Sequence, residues 1–298
     1  MDSLSEILQS IRLQARVFAH PSFCGHWAVD TSGTRQATFH IVTRGTCWLH
    51  LPDRAMAEPM RAGDLVVFPR DAAHVIADSE QLPDAEVPRN QALTDPSIQP
   101  TASLICGYFE FGEQRWNPLL ASMPDHLVIR NEAMSATGHM YHLINFMSYE
   151  VESQRLGADV VINRLSDVLF IHVIRTYIEQ HQPAHGVIAA LADTRLAQGL
   201  NAFHQQPQAP WTIETLANAA GMSRSAFAEQ FHRIVGQTPL QYMLQWRMQV
   251  AYDLLMTSSL STQQIAERSG YQSEASFAKA FKKFYGNGPG AVRRANKL

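Results

Sequence analysis

The sequence predicts a two-part α+β chain: a barrel of short antiparallel strands, a helical connection, and an all-helical C-terminal third. Three observations predict it. Runs of β-branched and aromatic residues punctuated by Gly and Pro fill residues 24–111, helical apolar spacing takes over after Pro124, and a motif recurs at an offset near 50 residues beyond 211. The chain has 298 residues, 46% of them hydrophobic and 17% charged. That composition is globular, and the length suffices for two cores at roughly 150 residues each.

No apolar run approaches the roughly 18 residues that a membrane-spanning helix needs. The opening MDSLSEILQSIRLQARV carries Asp2 and Glu6 on a helical apolar pattern, so it does not read as a signal peptide. A cytoplasmic protein without membrane contact is expected. The cysteines, Cys24, Cys47 and Cys106, are three and contain no CxxC pair, which excludes a disulfide scaffold and a structural zinc knuckle.

Segments 38–43 (TFHIVT), 47–51 (CWLHL), 65–68 (LVVF) and 104–111 (LICGYFEF) read as strands, with Gly45, Pro52, Gly63 and Pro69 at turn-like intervals. Residues 79–100 hold Pro83, Pro88, Pro96 and Pro100 and read as a long exposed loop, mobile or acting as a lid. Residues 138–155 and 158–181 have helical spacing. Leu143, Phe146 and Met147 share one face of the first, and Val161, Leu165, Val168, Leu169 and His172 one face of the second. Those faces either pack on the barrel or pair two copies as a homodimer. The stretch 201–211 (NAFHQQPQAPW) reads as a short hinge. The expected domains are residues 1–125, a helical linker at 126–190, and residues 191–298.

Charge divides along the same line. Residues 1–189 hold 13 Lys/Arg against 21 Asp/Glu, a net −8, whereas residues 190–298 hold 11 against 6, a net +5. A basic module joined to an acidic body suits a polyanion partner. Within the basic part, Ala217, Gly221, Ser223, Phe227, Phe231, Gly236 and Pro239 recur as Ala266, Gly270, Ser273, Phe277, Phe281, Gly286 and Pro289. All intervals agree except Gly to Ser, which is two residues in one copy and three in the other. A small Ala lets two helices cross closely, and Gly permits the left-handed turn between them. Ser223 and Ser273 suit N-caps, and Phe pairs at i and i+4 bury one helix face while leaving the other free. This is helix-turn-helix geometry, whose second helix can enter a major groove. Between the copies, Thr238 and Pro239 open a long helix, and Ser261 with Gln264 forms a capping box for the second copy.

The stretch from WTIETLANAAGMSRSAFAEQF to SFAKAFKKFYGNGP resembles the two-motif DNA-binding domain of the AraC/XylS transcription regulators over about 100 residues. The resemblance implies that both second helices read adjacent major-groove segments about one turn apart. It places Ser225, Ala228 and Glu229 of the first helix, and Glu274, Ala275, Ser276 and Lys279 of the second, against base edges. Arg224, Arg233, Lys282 and Lys283 are placed for phosphates, which fix register without reading sequence. Glu229 stands where the family often has Arg; an acid there repels phosphate but accepts a bond from cytosine N4.

The segment 63–74 (GDLVVFPRDAAH) resembles the second cupin motif, with Asp71 in place of the usual Gly, and 39–45 (FHIVTRG) occupies the place of the first motif without its His-x-His. Residues 1–190 resemble the cupin-type sensor domain of one AraC-family branch, most strongly the regulators that respond to reactive chlorine species. On strands lining such a barrel, Cys24, His26, His40, His74 and Cys106 would suit zinc or another borderline divalent metal. Cys24 and His26, two apart on a strand, would face one side. Three other readings stand beside the metal: a redox-reactive pair of Cys24 and Cys106, an organic-ligand pocket, and a purely structural barrel. Cys47 beside Trp48 reads as packing.

An enzyme is disfavoured, because GxSxG, GxxxxGK and HExxH patterns are missing and the absent His-x-His argues against an iron-oxygenase cupin. The expected function is a sequence-specific DNA-binding regulator, homodimeric, with RNA polymerase as a partner. Its inducer, a metal, an oxidant or a small organic molecule, acts on the barrel. Activation is the family's usual mode.

Overall fold

The structure is a computed structural model that describes residues 2–11, 13–84, 87, 89–95, 97–111, 117–131, 138–153 and 155–295. The chain divides into two compact units. One comprises Leu13–Phe111 and Met123–His181, and the other comprises Met1–Arg12, Gly112–Ser122 and Gln182–Leu298. The division does not follow chain order, since an N-terminal helix and a short excursion belong with the C-terminal helices.

The first unit holds strands β1 (Leu13–Ala19), β2 (Ser22–Phe23), β3 (Ala28–Val29), β4 (Ala37–Arg44), β5 (Thr46–His50), β6 (Glu58–Arg61), β7 (Leu65–Phe68), β8 (Val75–Ala77), β9 (Ala102–Phe111) and β10 (Leu127–Ile129). One sheet runs β1-β9-β4-β7-β10 with β2 added on β9, and the second runs β3-β8-β5-β6, every pairing being antiparallel. Phe23, Trp27, Leu49, Met60, Phe68 and Leu104 pack between the sheets. The strands expected at 38–43, 47–51, 65–68 and 104–111 correspond to β4, β5, β7 and β9.

Both faces of β4 are buried, because a helix covers the outer side of its sheet. Helices α3 (His139–Ser153) and α4 (Ala158–His181) belong to this unit. Phe170 of α4 packs on Phe109, which stacks on Phe39 at 4.7 Å. A Cβ on Gly107 would meet the Phe39 ring at 2.4 Å, so this glycine makes room for the stack. The α4 side chains also cap the open edge of β1: Asp167 accepts from Ala15 N and Asn163 from Val17 N, satisfying donors an edge strand leaves unpaired.

The expected helix spans are close, but the buried stripes are rotated from those the spacing suggested. Met140, Ile144 and Met147 are buried on α3, and Ile162, Ser166, Leu169, Phe170, Val173 and Ile174 on α4. Phe146, Val161 and Val168 face outward with Tyr149 and Val160. Apolar residues stand on more than one side of each helix, with Phe146, Tyr149, Val160, Val161 and Val168 outside the buried stripes, so spacing alone carries little phase information.

Residues 79–100 contain no helix or strand among those described, as expected of a loop; Pro88 and Pro96 lie outside the described residues. Part of it is tied to the barrel. Asn90 N donates to Ala28 O, Leu93 N to Ser22 O, and Arg89 pairs with Asp30 at 3.0 Å.

The second unit holds α1 (Ser3–Ser10), α2 (Pro118–Ala121), α5 (Gly186–Ala192), α6 (Thr194–Gln205), α7 (Ile213–Ala219), α8 (Arg224–Val235), α9 (Pro239–Thr257), α10 (Thr262–Arg268), α11 (Glu274–Tyr285) and α12 (Pro289–Ala295). The hinge expected at 201–211 is corrected: residues up to Gln205 complete α6, where Phe203 and His204 are buried, and only 206–211 form the turn. Burial of the apolar side of 200–204 outweighs the local Pro-rich signal. The Arg247 guanidinium fastens the turn by donating to Pro207 O and Ala209 O. Helix α1 packs on α6, with Ser3 N donating to the Asn201 side chain and Ile7 and Ile11 buried.

Among the described residues, no helix is long and apolar enough to cross a membrane. Gly45 turns the chain from β4 to β5 at φ +74°, and a Cβ there would overlap Thr101 O at 1.9 Å. Gly45→Ala should therefore destabilise the barrel by about 3 kcal/mol, against about 1 kcal/mol for Gly33→Ala, whose φ is similar but whose surroundings are open. Urea unfolding followed by tryptophan fluorescence measures both; equal costs would show that the overlap relaxes freely.

Candidate nucleic-acid interface and barrel cavity

Each half of the C-terminal repeat is built the same way. Thr212 and Ser261 start α7 and α10 with capping boxes to Thr215 and Gln264. The chain then reverses at Gly221 (φ +63°) and Gly270 (φ +79°), where Met222 N reaches Ala217 O and Tyr271 N reaches Ala266 O, both at 2.9 Å. Ser223 and Ser273 cap α8 and α11, accepting from Ala226 N and Ser276 N. These closures satisfy donors and acceptors that helix ends would leave bare.

Phe227 and Phe231 point inward from α8, and Phe277 and Phe281 from α11, each at most 1% exposed. The consequence lies on the opposite side. Residues 224–233 and 274–283 share one burial pattern, position for position. Arg224, Ser225, Glu229 and Arg233 are exposed on α8, with Ala228 half-buried; Glu274, Ala275, Ser276, Lys279, Lys282 and Lys283 are exposed on α11. Among the described residues, the side chains of Arg224, Glu229, Arg233, Glu274, Lys279, Lys282 and Lys283 form no hydrogen bond or ion pair within the chain. Ser276 is partly used, since its Oγ donates to Ser273 O at 2.9 Å. An exposed face of unpaired cations beside short polar side chains can neutralise phosphates and present donors to base edges.

Beneath this surface the helical unit buries a polar cluster that the sequence alone did not indicate. His204 Nε2 and Tyr242 Oη lie 2.8 Å apart, and the Trp246 ring packs on His204 at 4.2 Å. Burial pushes the imidazole down from 6.5 to about 3. An isolated His in a helix carries no local signal of such a partner, 38 residues away in sequence.

The barrel sorts its sequence-predicted residues into two groups. His40, His74 and Cys106 are buried together from β4, the loop before β8, and β9. His40 Nε2 lies 3.2 Å from His74 Nε2, and Thr31 Oγ1 lies 3.0 and 3.2 Å from these two nitrogens. His74 Nδ1 donates to Ala72 O at 2.8 Å, which leaves a lone pair on its Nε2. The Thr31 hydroxyl can fill it while accepting from His40 Nε2–H, and His40 Nδ1 then accepts from the Cys106 thiol at 3.1 Å. Burial pushes both imidazoles down and the Cys106 thiol up, consistent with a neutral network.

Cys24 and His26 are not part of it. Gly25 at φ +74° takes 24–26 out of the strand, so the same-side argument for neighbours two apart does not apply. Cys24 is exposed, and His26 turns outward to pair with Asp78 at 2.9 Å. The metal expectation therefore meets a misfit. Two imidazoles converge, Cys106 sits on the far nitrogen of His40, and among the described residues no group of three His, Cys, Asp or Glu side chains could hold an ion. Cys47 is buried, as its packing reading expects, and its thiol is pushed up to about 12 by burial and the Asp64 charge.

Asp71, at the motif position that usually holds Gly, has φ +56°, the backbone region glycine favours. Its carboxylate offsets the strain by accepting from Gly33 N and Arg35 N.

Beside the histidines, the barrel holds a half-open cavity of about 510 Å³. Phe18, Phe23, Val29 and Tyr108 give it an apolar wall, and Thr31, Thr38 and Cys106 supply polar atoms. None of these residues except Cys106 stood out in the sequence; alternation along β1 and β4 could have marked Phe18 and Thr38 as neighbours of one face, but not the opening above them.

Comparison with known proteins places these features. The Cupin family model matches residues 2–179 and the Helix-turn-helix domain model residues 216–295. Over 99% of both chains, the sequence is 31% identical to the HTH-type transcriptional regulator AlkR of Acinetobacter baylyi. The chain belongs to the AraC-type transcription regulators with an N-terminal cupin domain. A putative AraC-like transcription regulator of Streptomyces lividans is 29% identical over 99% of this chain and 98% of its own. The RCS-specific HTH-type transcriptional activator RclR of Escherichia coli is 26% identical over 98% and 97%. That value lies below the first two, so the expected special likeness to the reactive-chlorine regulators is corrected. These relatives are transcription regulators and not enzymes, and the regulator likewise binds DNA and carries a cupin sensor domain.

Two outcomes follow for the regulator. In the native state Ellman's reagent should titrate one fast thiol, Cys24, and reach Cys47 and Cys106 only on unfolding; a Cys24→Ser variant that kept a fast thiol would contradict the burial. For His204, the sign is fixed by its lowered value. The unfolded chain binds the proton first, so stability is fully present above pH 6.5 and falls as pH drops toward 3. His204→Phe should flatten the urea midpoint of the helical unit across pH 6.5 to 4.5, relative to the parent.

Proposed function

We propose that this protein is a cytoplasmic, signal-responsive transcription activator that binds its operator as a homodimer and contacts RNA polymerase. In this reading residues 1–125 sense, 126–190 connect and pair copies, and 191–298 bind DNA. The observation that carries it is the matched pair of exposed faces on α8 and α11, which leave the same positions unpaired in both halves of the repeat. Ser225, Ala228 and Glu229 face bases from the first helix, and Glu274, Ala275, Ser276 and Lys279 from the second. Arg224, Arg233, Lys282 and Lys283 hold phosphates. Pairing of copies is supported by the outward apolar residues Phe146, Tyr149, Val160, Val161 and Val168, spread over two helices.

The signal acts in the barrel. Of the signals the residues allow, a small organic molecule has a cavity to occupy. A divalent metal such as zinc would find two facing imidazoles and the Thr31 hydroxyl, and an oxidant would meet Cys24 alone at the surface. Strands β1 and β9 are paired from Leu13↔Phe111 onward and carry Phe18, Cys106 and Tyr108 of the cavity wall. At that same end, the chain passes from α1 into β1 and from β9 into residues 112–122, so both connections lead to the helical unit. A shift of this strand pair is therefore a direct covalent route from cavity to DNA-binding helices.

Electrophoretic mobility shift against the protein's own promoter region tests the interface. Lys279→Ala should weaken operator binding about tenfold and relax preference at one base pair, a loss of roughly 1–3 kcal/mol of discrimination. Lys282→Ala should weaken specific and nonspecific DNA alike and lower the salt slope by about one. An unchanged isotherm for Lys279→Ala would overturn its base-reading role.

A further inference from the structure

The barrel cavity is specific enough in its chemistry to name a class of ligand. Thr38, on β4, lines the cavity and is 1% exposed, yet its Oγ1 has no hydrogen-bond partner. A buried hydroxyl without a partner is costly, so a bonding atom brought into the cavity beside it is favoured. Most of the wall around it is rings and alkyl groups, with the neutral polar side chains Thr34, Gln36 and Asn90 among them, and Asn90 bonds the Asp30 backbone on both sides. Phe18 stacks on Tyr108 at 6.0 Å while half exposed at the mouth, and Phe23 is backed by Trp27 in a stack at 4.2 Å. About 510 Å³ falls within the roughly 300–1,000 Å³ typical of small-molecule sites.

The charge that borders the cavity is already paired. Asp30 borders the cavity, but Arg89 pairs with it, and Ser32 donates to it from both N and Oγ. The hydrogen bonds to His40 and His74 behind the Thr31 and Cys106 wall close on themselves without a proton to spare. An ionic ligand would leave water here and meet no free counter-charge.

From these features we infer that the cavity binds an uncharged, ring-bearing apolar molecule with one hydroxyl or carbonyl head directed at Thr38 Oγ1. The inference rests on reading the barrel as the sensor and deepens it by naming what is sensed. The ring lies against Phe18, Phe23 and Tyr108, and the head completes the orphaned Thr38 hydroxyl. Thr31 and Cys106 line the same cavity and bond directly to His40, so the occupant touches the groups that tie β4 to β9.

Equilibrium dialysis of the full chain against three probes of one shape tests this: 2-naphthol, naphthalene and 2-naphthoate at pH 7. Saturable binding of 2-naphthol, at least tenfold tighter than 2-naphthoate and about fivefold tighter than naphthalene, is expected. Thr38→Val should bring 2-naphthol down to the naphthalene level, and Thr38→Ser should keep the preference, which separates loss of the hydroxyl from damage to the fold. Naphthoate binding as well as naphthol, non-saturable uptake, or a Thr38→Val variant with its preference intact would each overturn the assignment. The sensor reading fails separately. Saturable, Thr38-dependent binding that leaves operator affinity unchanged supports the ligand class and removes the cavity's role in signalling.

Discussion

Burial of two phenylalanines one turn apart, Phe227 with Phe231 and Phe277 with Phe281, is the constraint on which the DNA-binding half depends. A helix of 12 residues is marginal alone, so its orientation is set by which side is removed from water. At roughly 25 cal/mol per Å² of apolar area, each ring contributes on the order of 2 kcal/mol or more. No surface charge pair competes with that. With the rings fixed inward, the 3.6-residue repeat dictates that Glu229 and Lys279, two residues beyond the first ring of each pair, must lie outside. The exposed face is thus a consequence of the core.

This part was legible from residues alone because its signals are local. Ser223, Ser273, Thr238 and Ser261 each bond a backbone donor three residues on, and Gly221 and Gly270 sit where a left-handed residue is required. Repetition of the whole pattern doubled every signal. The strands were legible for a similar reason, since β-branched runs bounded by Gly and Pro leave few alternatives. The faces of α3 and α4 were not. Their apolar residues lie on more than one side, and the buried side of α4 is set by its packing on Phe109, far away in the chain.

The barrel site was half legible. Residue type singled out His40, His74 and Cys106, and antiparallel pairing of β4 with β9 at His40↔Cys106 makes their contact a matter of register. Cys24 and His26 have the same chemistry but sit on a turn, where alternation has no meaning. The cavity was invisible, because an opening is defined by what the opposite walls fail to fill. Thr38 and Phe18 lie 20 residues apart and meet across it through the β1-β9-β4 order of the sheet.

That strand order also places one strand against both the cavity and a helix. β9 lies between β1 and β4, and its inward residues Cys106 and Tyr108 contact the cavity while its outward residue Phe109 packs on α4. Interiors are close-packed, so a strand gripped on both faces moves as a unit or not at all. Filling the cavity favours one position of β9 and of its partner β1 by the difference in ligand contact between the two positions, and by nothing else. In the chain β1 is preceded by α1, whose Ile7 is buried and which packs on α6. The N-terminal helix thus belongs to the helical unit while its chain continues into β1, which lines the cavity.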